Sequence, residues 1–358
     1  MAKKLFLHIG HYKTGTTALQ VFFARNHAAF VERGLDYAAL RRHNAKHSAF
    51  AFALLHAAGA RTLMHGYADP TPPEDLWAEL FEYVRASHTP DVLISSEEFM
   101  RLAAFPAAVE RLADILARRG AGIDIEVIAY LRAPQSHLRS WFNQLVKMGQ
   151  PVPDYASALQ GAIEPVHIDY GFALAPWVAM VGAEKVILRS YAPRKADPAF
   201  IFRDVLTALG RSLPEGLNLP EGDPNPRLDD RVLDLVRVLQ NSGHGGKMVD
   251  FLREQAQRYF DAQDAAGPMQ PPALDAVRTQ AAAGVAALAE LPRSNLDLDA
   301  LGADLPAADP AGRLADVELL GFVLAELVSL RRRVNNRPGL QAIERRLARL
   351  EAALGKAS

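Results

Sequence analysis

The stretch from Leu5 to Phe23 constrains this chain more than any other. Leu5-Phe6-Leu7-His8-Ile9 is a short apolar run that stops at Gly10, the pattern of a buried strand. From Thr16 onward Leu19, Phe22 and Phe23 fall on one helical face, and Arg33-Gly34 marks the end of that helix. A strand that enters a helix through a glycine-bearing loop is the opening unit of a parallel α/β sheet. The unit recurs. Asp91–Ser95, Ile125–Leu131 and Lys185–Arg189 read as buried strands. Helical patterns lie between them, with Leu76, Leu80 and Val84, then Val109, Leu112 and Ile115, then Ser136 to Lys147, and Phe202, Val205 and Leu206 after the last strand. The expected fold is therefore a mostly parallel central sheet with helices on both faces, helical only from about residue 225.

Met1-Ala2-Lys3-Lys4 has the basic character of a signal-peptide start, but five apolar residues interrupted by His8 make no h-region, so a first strand is expected there. No apolar run reaches the roughly 20 residues of a membrane span. Lys and Arg total 40 against 41 Asp and Glu, which excludes a chain-wide basic field for nucleic acid and leaves room for a local anion pocket. The chain has no cysteine, so disulfides, a thiol nucleophile and Cys-ligated metals are excluded, and a cytoplasmic protein is expected. The expected organisation is an α/β domain over residues 1–302, a Pro/Ala/Asp-rich linker over 303–312, and C-terminal helices over 313–358. Leu340, Ile343, Leu347, Leu350 and Leu354 follow coiled-coil spacing over about two heptads. That seam reads equally as a homo-oligomer contact or as a helix packed on its own domain.

Gly10-His11-Tyr12-Lys13-Thr14-Gly15-Thr16-Thr17 has the glycine spacing of a Walker A loop, G-x-x-x-x-G-K-[ST], but Thr16 stands where the lysine belongs and Lys13 lies three residues earlier. Backbone N–H groups, the dipole of the following helix and the hydroxyls of Thr16 and Thr17 make an anion cradle. Lys13 can reach a bridging or leaving oxygen from the side. The plainer alternative is a glycine turn with a solvated lysine.

The run from His8 to Gln20 resembles the 5′-phosphosulfate loop of sulfotransferases that use 3′-phosphoadenosine 5′-phosphosulfate (PAPS), whose bacterial members often read H-I-G-x-x-K-T-G-T-T-x-L-Q. Arg132 at a strand end and Ser140 eight residues on, followed by Trp141-Phe142, are similar to the family's 3′-phosphate motif; Ala133 and Ser136 depart from its R-[ND]-P-x-D form. Arg suits a doubly charged phosphate because its fork bonds two oxygens at once. Ile94-Ser95-Ser96-Glu97, the stretch from Asp169-Tyr170 to Val186, and Phe200 to Leu206 also resemble family segments, so the likeness runs from about residue 4 to 210 and more weakly to about 300.

The resemblance implies a P-loop-like sulfotransferase fold, PAPS as co-substrate and PAP as product, with Lys13, Thr14, Gly15, Thr16 and Thr17 on the 5′ side and Arg132 and Ser140 on the 3′-phosphate. It implies in-line transfer to a hydroxyl or amine of a carbohydrate, lipid or small molecule, with Lys13 on the leaving oxygen and no metal. The sequence contains no H-E-x-x-H or comparable metal-ligand spacing. The family places a His or Glu base near a strand end beside the loop. Glu97 fits that placement, with His47 as the second candidate; Ser95-Ser96-Glu97-Glu98 reads equally as helix capping. Two rivals remain open at this point. One is a nucleotide kinase or NTPase with a variant loop, against which stand the displaced lysine and Ser95-Ser96 in place of a Walker B Asp. The other is a non-catalytic PAP-binding scaffold.

Overall fold

In a computed structural model of the chain, the described residues are 3–61, 69, 71–152, 154–192, 197–220, 228–241, 246–261, 274–291 and 293–306, with 322, 323, 326, 330 and 346. Six strands form one sheet: β1 (Lys3–Gly10), β2 (Leu35–Tyr37), β3 (Asp91–Ser95), β4 (Ile123–Arg132), β5 (Val186–Tyr191) and β6 (Arg293–Ser294). Their order is β2-β3-β1-β4-β5-β6 and every pair is parallel. Leu5 on β1 stands opposite Val92 on β3 and Ile125 on β4. Strands covered on both faces need apolar residues at nearly every position, which is why β1, β3, β4 and β5 stand out in the sequence.

After β1 come α1 (Thr16–Arg25) and α2 (His27–Val31), and after β2 come α3 (Ser48–Ala57) and α4 (Pro73–Ala86). A 3-10 helix (Glu97–Ala104) and α5 (Pro106–Arg119) separate β3 from β4. Between β4 and β5 lie α6 (Pro134–Lys147), α7 (Tyr155–Ser157), α8 (Pro165–Ile168) and α9 (Tyr170–Val181). Then follow α10 (Phe200–Ala208), α11 (Asp230–Asn241), α12 (Lys247–Asp261), α13 (Asp275–Ala286) and, after β6, α14 (Leu298–Ala303). Proline opens α4, α5 and α6, where its missing N–H leaves no bond unmade.

Phe6, Leu93, Ile128 and Ile187 face α1 and α10, burying Leu19, Phe22, Phe23, Phe202, Val205 and Leu206 in one cluster. Asp204 ties α10 to the sheet: its carboxylate accepts from Tyr130 at 2.7 Å and from Arg189 Nε at 2.9 Å. Elsewhere in the core Phe50, Trp77, Phe99 and Trp177 pack ring to ring, with neighbouring centroids 5.8–6.1 Å apart. Burying each such aromatic side chain stabilises the fold by about 1.5–3 kcal/mol.

The helix after the loop does not run to Arg33. It stops at Arg25, where the Asn26 amide donates to the carbonyls of Phe22 and Asn218, and restarts as α2. Nor is the chain purely helical after residue 225, since β6 pairs with β5 through Ile187↔Arg293 and Leu188↔Ser294.

The chain divides into two compact units. Met1–Arg227 with Pro272–Ala308 carries the sheet; Leu228–Pro271 groups with Asp309–Ser358. In the second unit Val232, Leu233, Val236, Ala256 and Phe260 are buried, and Phe322 stacks on Phe260 with centroids 6.2 Å apart. In the sequence the boundary at 228 follows the Pro/Gly-rich stretch from Pro220 to Pro226. The leucine seam from Leu340 to Leu354 and most of the expected linker lie outside the described residues. No helix among the described residues is long and apolar enough to cross a membrane.

Candidate active site

The residues that the sequence singles out lie near the carboxyl ends of β1, β3 and β4, where connections from the central strand diverge to either side. The loop after β1 turns through left-handed backbone at Gly10 (φ 95°), Lys13 (φ 60°) and Gly15 (φ 78°). Gly15 is confined from outside as well. A Cβ there would lie 2.6 Å from Ile201 Cδ1 and 3.0 Å from the Tyr191 ring. Lys13 has no such excuse in its side chain, and a left-handed lysine at a loop tip marks local strain of the kind that gathers at binding sites.

The hydroxyls of Thr14 and Thr16 do not point outward. Both donate to the His11 carbonyl, at 2.5 and 3.0 Å. This corrects the expectation of a hydroxyl cradle at Thr16: the hydroxyls hold the loop's shape, and an anion would meet backbone N–H groups instead. Thr17 is half-buried on the first turn of α1. That turn has no side-chain cap and no acidic residue, so its N–H groups and dipole favour an anion. Lys13 Nζ reaches Gln144 Oε1 on α6 at 3.4 Å.

Glu97 follows β3 and is buried against the loop; a Cβ on Gly10 would lie 3.1 Å from its Cα. Its carboxylate accepts from Lys46 Nζ at 2.5 Å and Gln20 Nε2 at 3.0 Å. Burial opposes its ionisation, but the Lys46 charge and hydrogen bond with the Gln20 contact outweigh burial and hold the carboxyl below its ordinary range. Capping falls to the neighbour: the Ser96 hydroxyl accepts from Glu98 N at 3.2 Å. Gln20 also donates to Ser95 Oγ at 3.2 Å, which meets His8 Nδ1 at 2.7 Å.

His47 sits differently from what a proton acceptor needs. Its Nδ1 accepts from Ser95 N at 3.1 Å, which leaves Nε2 to donate to the Ala38 carbonyl at 2.7 Å. Burial pushes it down to about 4. Both nitrogens bind backbone, and His47 fixes the end of β3. The residue before it, Lys46, is the one that touches Glu97.

Arg132 ends β4, and its guanidinium lies 5.9 Å from the centre of the Tyr191 ring, the same ring that confines Gly15. Ser140 is buried on α6. The N-terminus of α6 is closed by Asp304, whose carbonyl accepts from Gln135 N at 2.9 Å and whose carboxylate accepts from Ser136 Oγ at 2.9 Å. An anion therefore finds open N–H groups at α1 and not at α6.

Behind the loop lies a group with no sequence signal. His11, His137 and His167 are all fully buried, and one potential ligand nitrogen from each lies within 4.8 Å of the others. His137 Nε2 meets His167 Nδ1 at 3.1 Å, and Trp141 stacks on His167 at 4.1 Å. Burial lowers His11 to about 4 and lowers the other two further, with Arg132 and Lys13 adding to the effect on His137. Beside them the Tyr12 hydroxyl donates to Glu98 Oε2 at 2.5 Å. Burial, then the Glu97 charge, raises Glu98 to about 7.

No family model and no curated sequence matches the chain. Ten solved chains do. Among them are two sulfotransferases. One, from Alicyclobacillus acidocaldarius, is 17% identical with a TM-score of 0.42 and covers 70% of this chain and 100% of its own. The other, a sulfotransferase domain from the curacin biosynthetic pathway, is 16% identical with a TM-score of 0.33 and covers 62% of this chain and 78% of its own.

The structure thus brings Gly15 and Arg132 to the Tyr191 ring, sets Lys13 against Gln144 on α6, and sets Glu97 against the loop. Lys46 and Gln20 are functional candidates that sequence reasoning passed over. Gln20 is legible as the last letter of the quoted loop motif. Lys46 is adjacent to a residue already under consideration but carries no motif of its own.

Proposed function

We propose that the chain transfers a sulfuryl group from PAPS to a hydroxyl or amine acceptor. The observation that carries this reading is the pairing of two cationic strand ends, Lys13 after β1 and Arg132 on β4, around one uncapped helix N-terminus, with an anionic Glu97 facing the same loop. The donor set suits a ligand with anionic groups at two points. Backbone N–H groups of residues 14–17 hold the 5′-phosphosulfate, and Arg132 with Ser140 holds the 3′-phosphate.

Glu97 takes the proton as the acceptor oxygen or nitrogen bonds to sulfur. The bond between sulfur and the bridging oxygen breaks, and Lys13 neutralises the charge that grows on that oxygen, which leaves with PAP. Gln144 steadies Lys13, and Lys46 keeps Glu97 ionised and ready to accept. Acceptors of the carbohydrate, lipid and small-alcohol classes are all consistent with a base of this kind.

A second reading, a PAP-binding protein without turnover, is favoured by the firm hold of Lys46 and Gln20 on Glu97, which weakens it as a base. Labelled PAPS offered with a panel of acceptors separates the two. Transfer to any acceptor supports catalysis. A thermal shift with PAP and no transfer supports the binding protein, and a shift with Mg-ATP but none with PAP overturns both.

A further inference from the structure

Three histidines from three separate elements converge where no local motif announces them. His11 comes from the loop after β1, His137 from α6 and His167 from α8. We propose that these three imidazoles bind one transition-metal ion of intermediate softness, Zn2+ or Co2+ being suitable probes, and that the ion ties the loop after β1 to α6 and α8.

The first support is geometric. In a tetrahedral site with metal–nitrogen bonds of about 2.0–2.1 Å, ligand nitrogens lie about 3.3–3.4 Å apart. His137 Nε2 and His167 Nδ1 are 3.1 Å apart, close to that spacing, and one potential ligand nitrogen from each of the three rings lies within 4.8 Å of the others. Closing the widest such gap takes a movement of about 1.4 Å, set against metal–nitrogen geometry.

The second support is that a single hydrogen bond holds the histidine pair. His137 Nδ1 and His167 Nε2 are buried and, among the described residues, have no hydrogen-bond partner. Two neutral imidazoles sharing one hydrogen bond must leave one lone pair and one N–H unpaired within the pair. A metal takes the lone pairs of the facing nitrogens in place of their shared hydrogen bond, and both outer nitrogens then carry the N–H. No proton need leave, because each neutral ring keeps its one N–H. For His11, ligation through Nδ1 displaces the Tyr12 N–H now 2.8 Å away, while Nε2 keeps its 2.9 Å contact to the Val166 carbonyl. A carbonyl on the far nitrogen is the usual device that orients a ligating histidine.

The donor set fixes the class of ion. Three neutral nitrogens suit Zn2+, Co2+, Ni2+ or Cu2+, whereas Mg2+ and Ca2+ need oxygen. Lys13 and Arg132 bear electrostatically on His137 and oppose a cation there. Arg101 bears on His167 in the same sense.

The test uses the full, tag-free chain, stripped with a chelator and then titrated with Co2+. The expected result is one equivalent bound per chain, a visible absorption band of low-coordinate cobalt, displacement by Zn2+, and no response to Mg2+. His167→Gln and His137→Gln should each weaken Co2+ binding by at least about tenfold, the scale on which even outer-shell changes act. Should either variant fail to fold, imidazole nitrogen NMR of the wild-type chain decides: Zn2+ must shift the signals of these three rings. Wild-type chain that takes up no ion, binding that survives in a folded variant, or shifts confined to other histidines would each overturn the proposal. None of these measurements depends on sulfuryl transfer.

Discussion

Lys46→Met offers the sharpest test of how the candidate base is held. Lys46 Nζ lies 2.5 Å from Glu97 Oε1, and the two side chains are 21% and 8% exposed. Removing one partner of a buried ion pair costs about 3–5 kcal/mol, because the remaining charge is left without compensation. Lys46 keeps some contact with solvent, so the lower end applies, and about 3 kcal/mol corresponds to a fall in melting temperature of roughly 6–12 °C. In the wild-type chain Glu97 has a depressed folded pKa. It therefore contributes stability above its unfolded value, and that contribution is lost as pH falls through the folded value. Without Lys46, burial is the largest remaining influence and raises the folded pKa, so the charged form becomes a liability above it. The stability gap between variant and wild type should therefore be widest near neutral pH and shrink as pH drops below the ordinary carboxyl range. Urea unfolding of both proteins across that pH interval measures the gap. The double variant Lys46→Met/Glu97→Gln should recover most of the loss, since a buried pair replaced as a whole is nearly neutral. A gap that stays constant with pH, or a double variant whose loss equals the sum of the single losses, would refute the reasoning.

Lys13→Ala should lower turnover by about 10²-fold or more while leaving the urea midpoint nearly unchanged, as expected for a transition-state contact made by a loop side chain. Arg132→Ala should weaken PAP by about 2–5 kcal/mol and adenosine 5′-phosphosulfate, which lacks the 3′-phosphate, far less; calorimetry with both ligands makes the comparison. Gly15→Ala should destabilise the fold by about 1–3 kcal/mol through its left-handed backbone and the approach of Tyr191 and Ile201, with urea unfolding as the measure. Glu97→Gln should keep PAP affinity and lose turnover, and full activity in that variant would remove Glu97 from the chemistry.

Much of the sheet was legible because buried parallel strands are written as apolar runs. β3 matches its expected bounds residue for residue, β1 and β4 extend theirs by two residues at the start and one at the end, and β5 begins one residue later and ends two residues later than expected. β2 and β6 are three and two residues long and too short to carry any periodicity, so the edges of the sheet left no trace. At the site, glycine spacing pointed to the loop, and the resemblance to sulfotransferase motifs pointed to Arg132 and to Glu97. Neither could say which way a side chain turns. Thr14 and Thr16 fold back on His11, and His47 binds backbone on both sides. The histidine cluster was illegible for a different reason. Residues 11, 137 and 167 meet only through the packing of three elements, and no interval between them is characteristic of anything.

The Asp304 cap on α6 has a consequence in time. A ribosome delivers Lys13, Glu97, Arg132 and Ser140 well before it reaches residue 304, yet α6 lacks the partners of its first turn until then. β5 likewise remains an open sheet edge until Arg293 and Ser294 pair with it. The growing chain thus carries every recognisable site residue while the first turn of the helix bearing Ser140 and Gln144 is still uncapped. Nascent chains arrested near residue 250 should accordingly show protease-sensitive α6, and chains arrested far enough beyond residue 308 for that segment to leave the exit tunnel should show it protected.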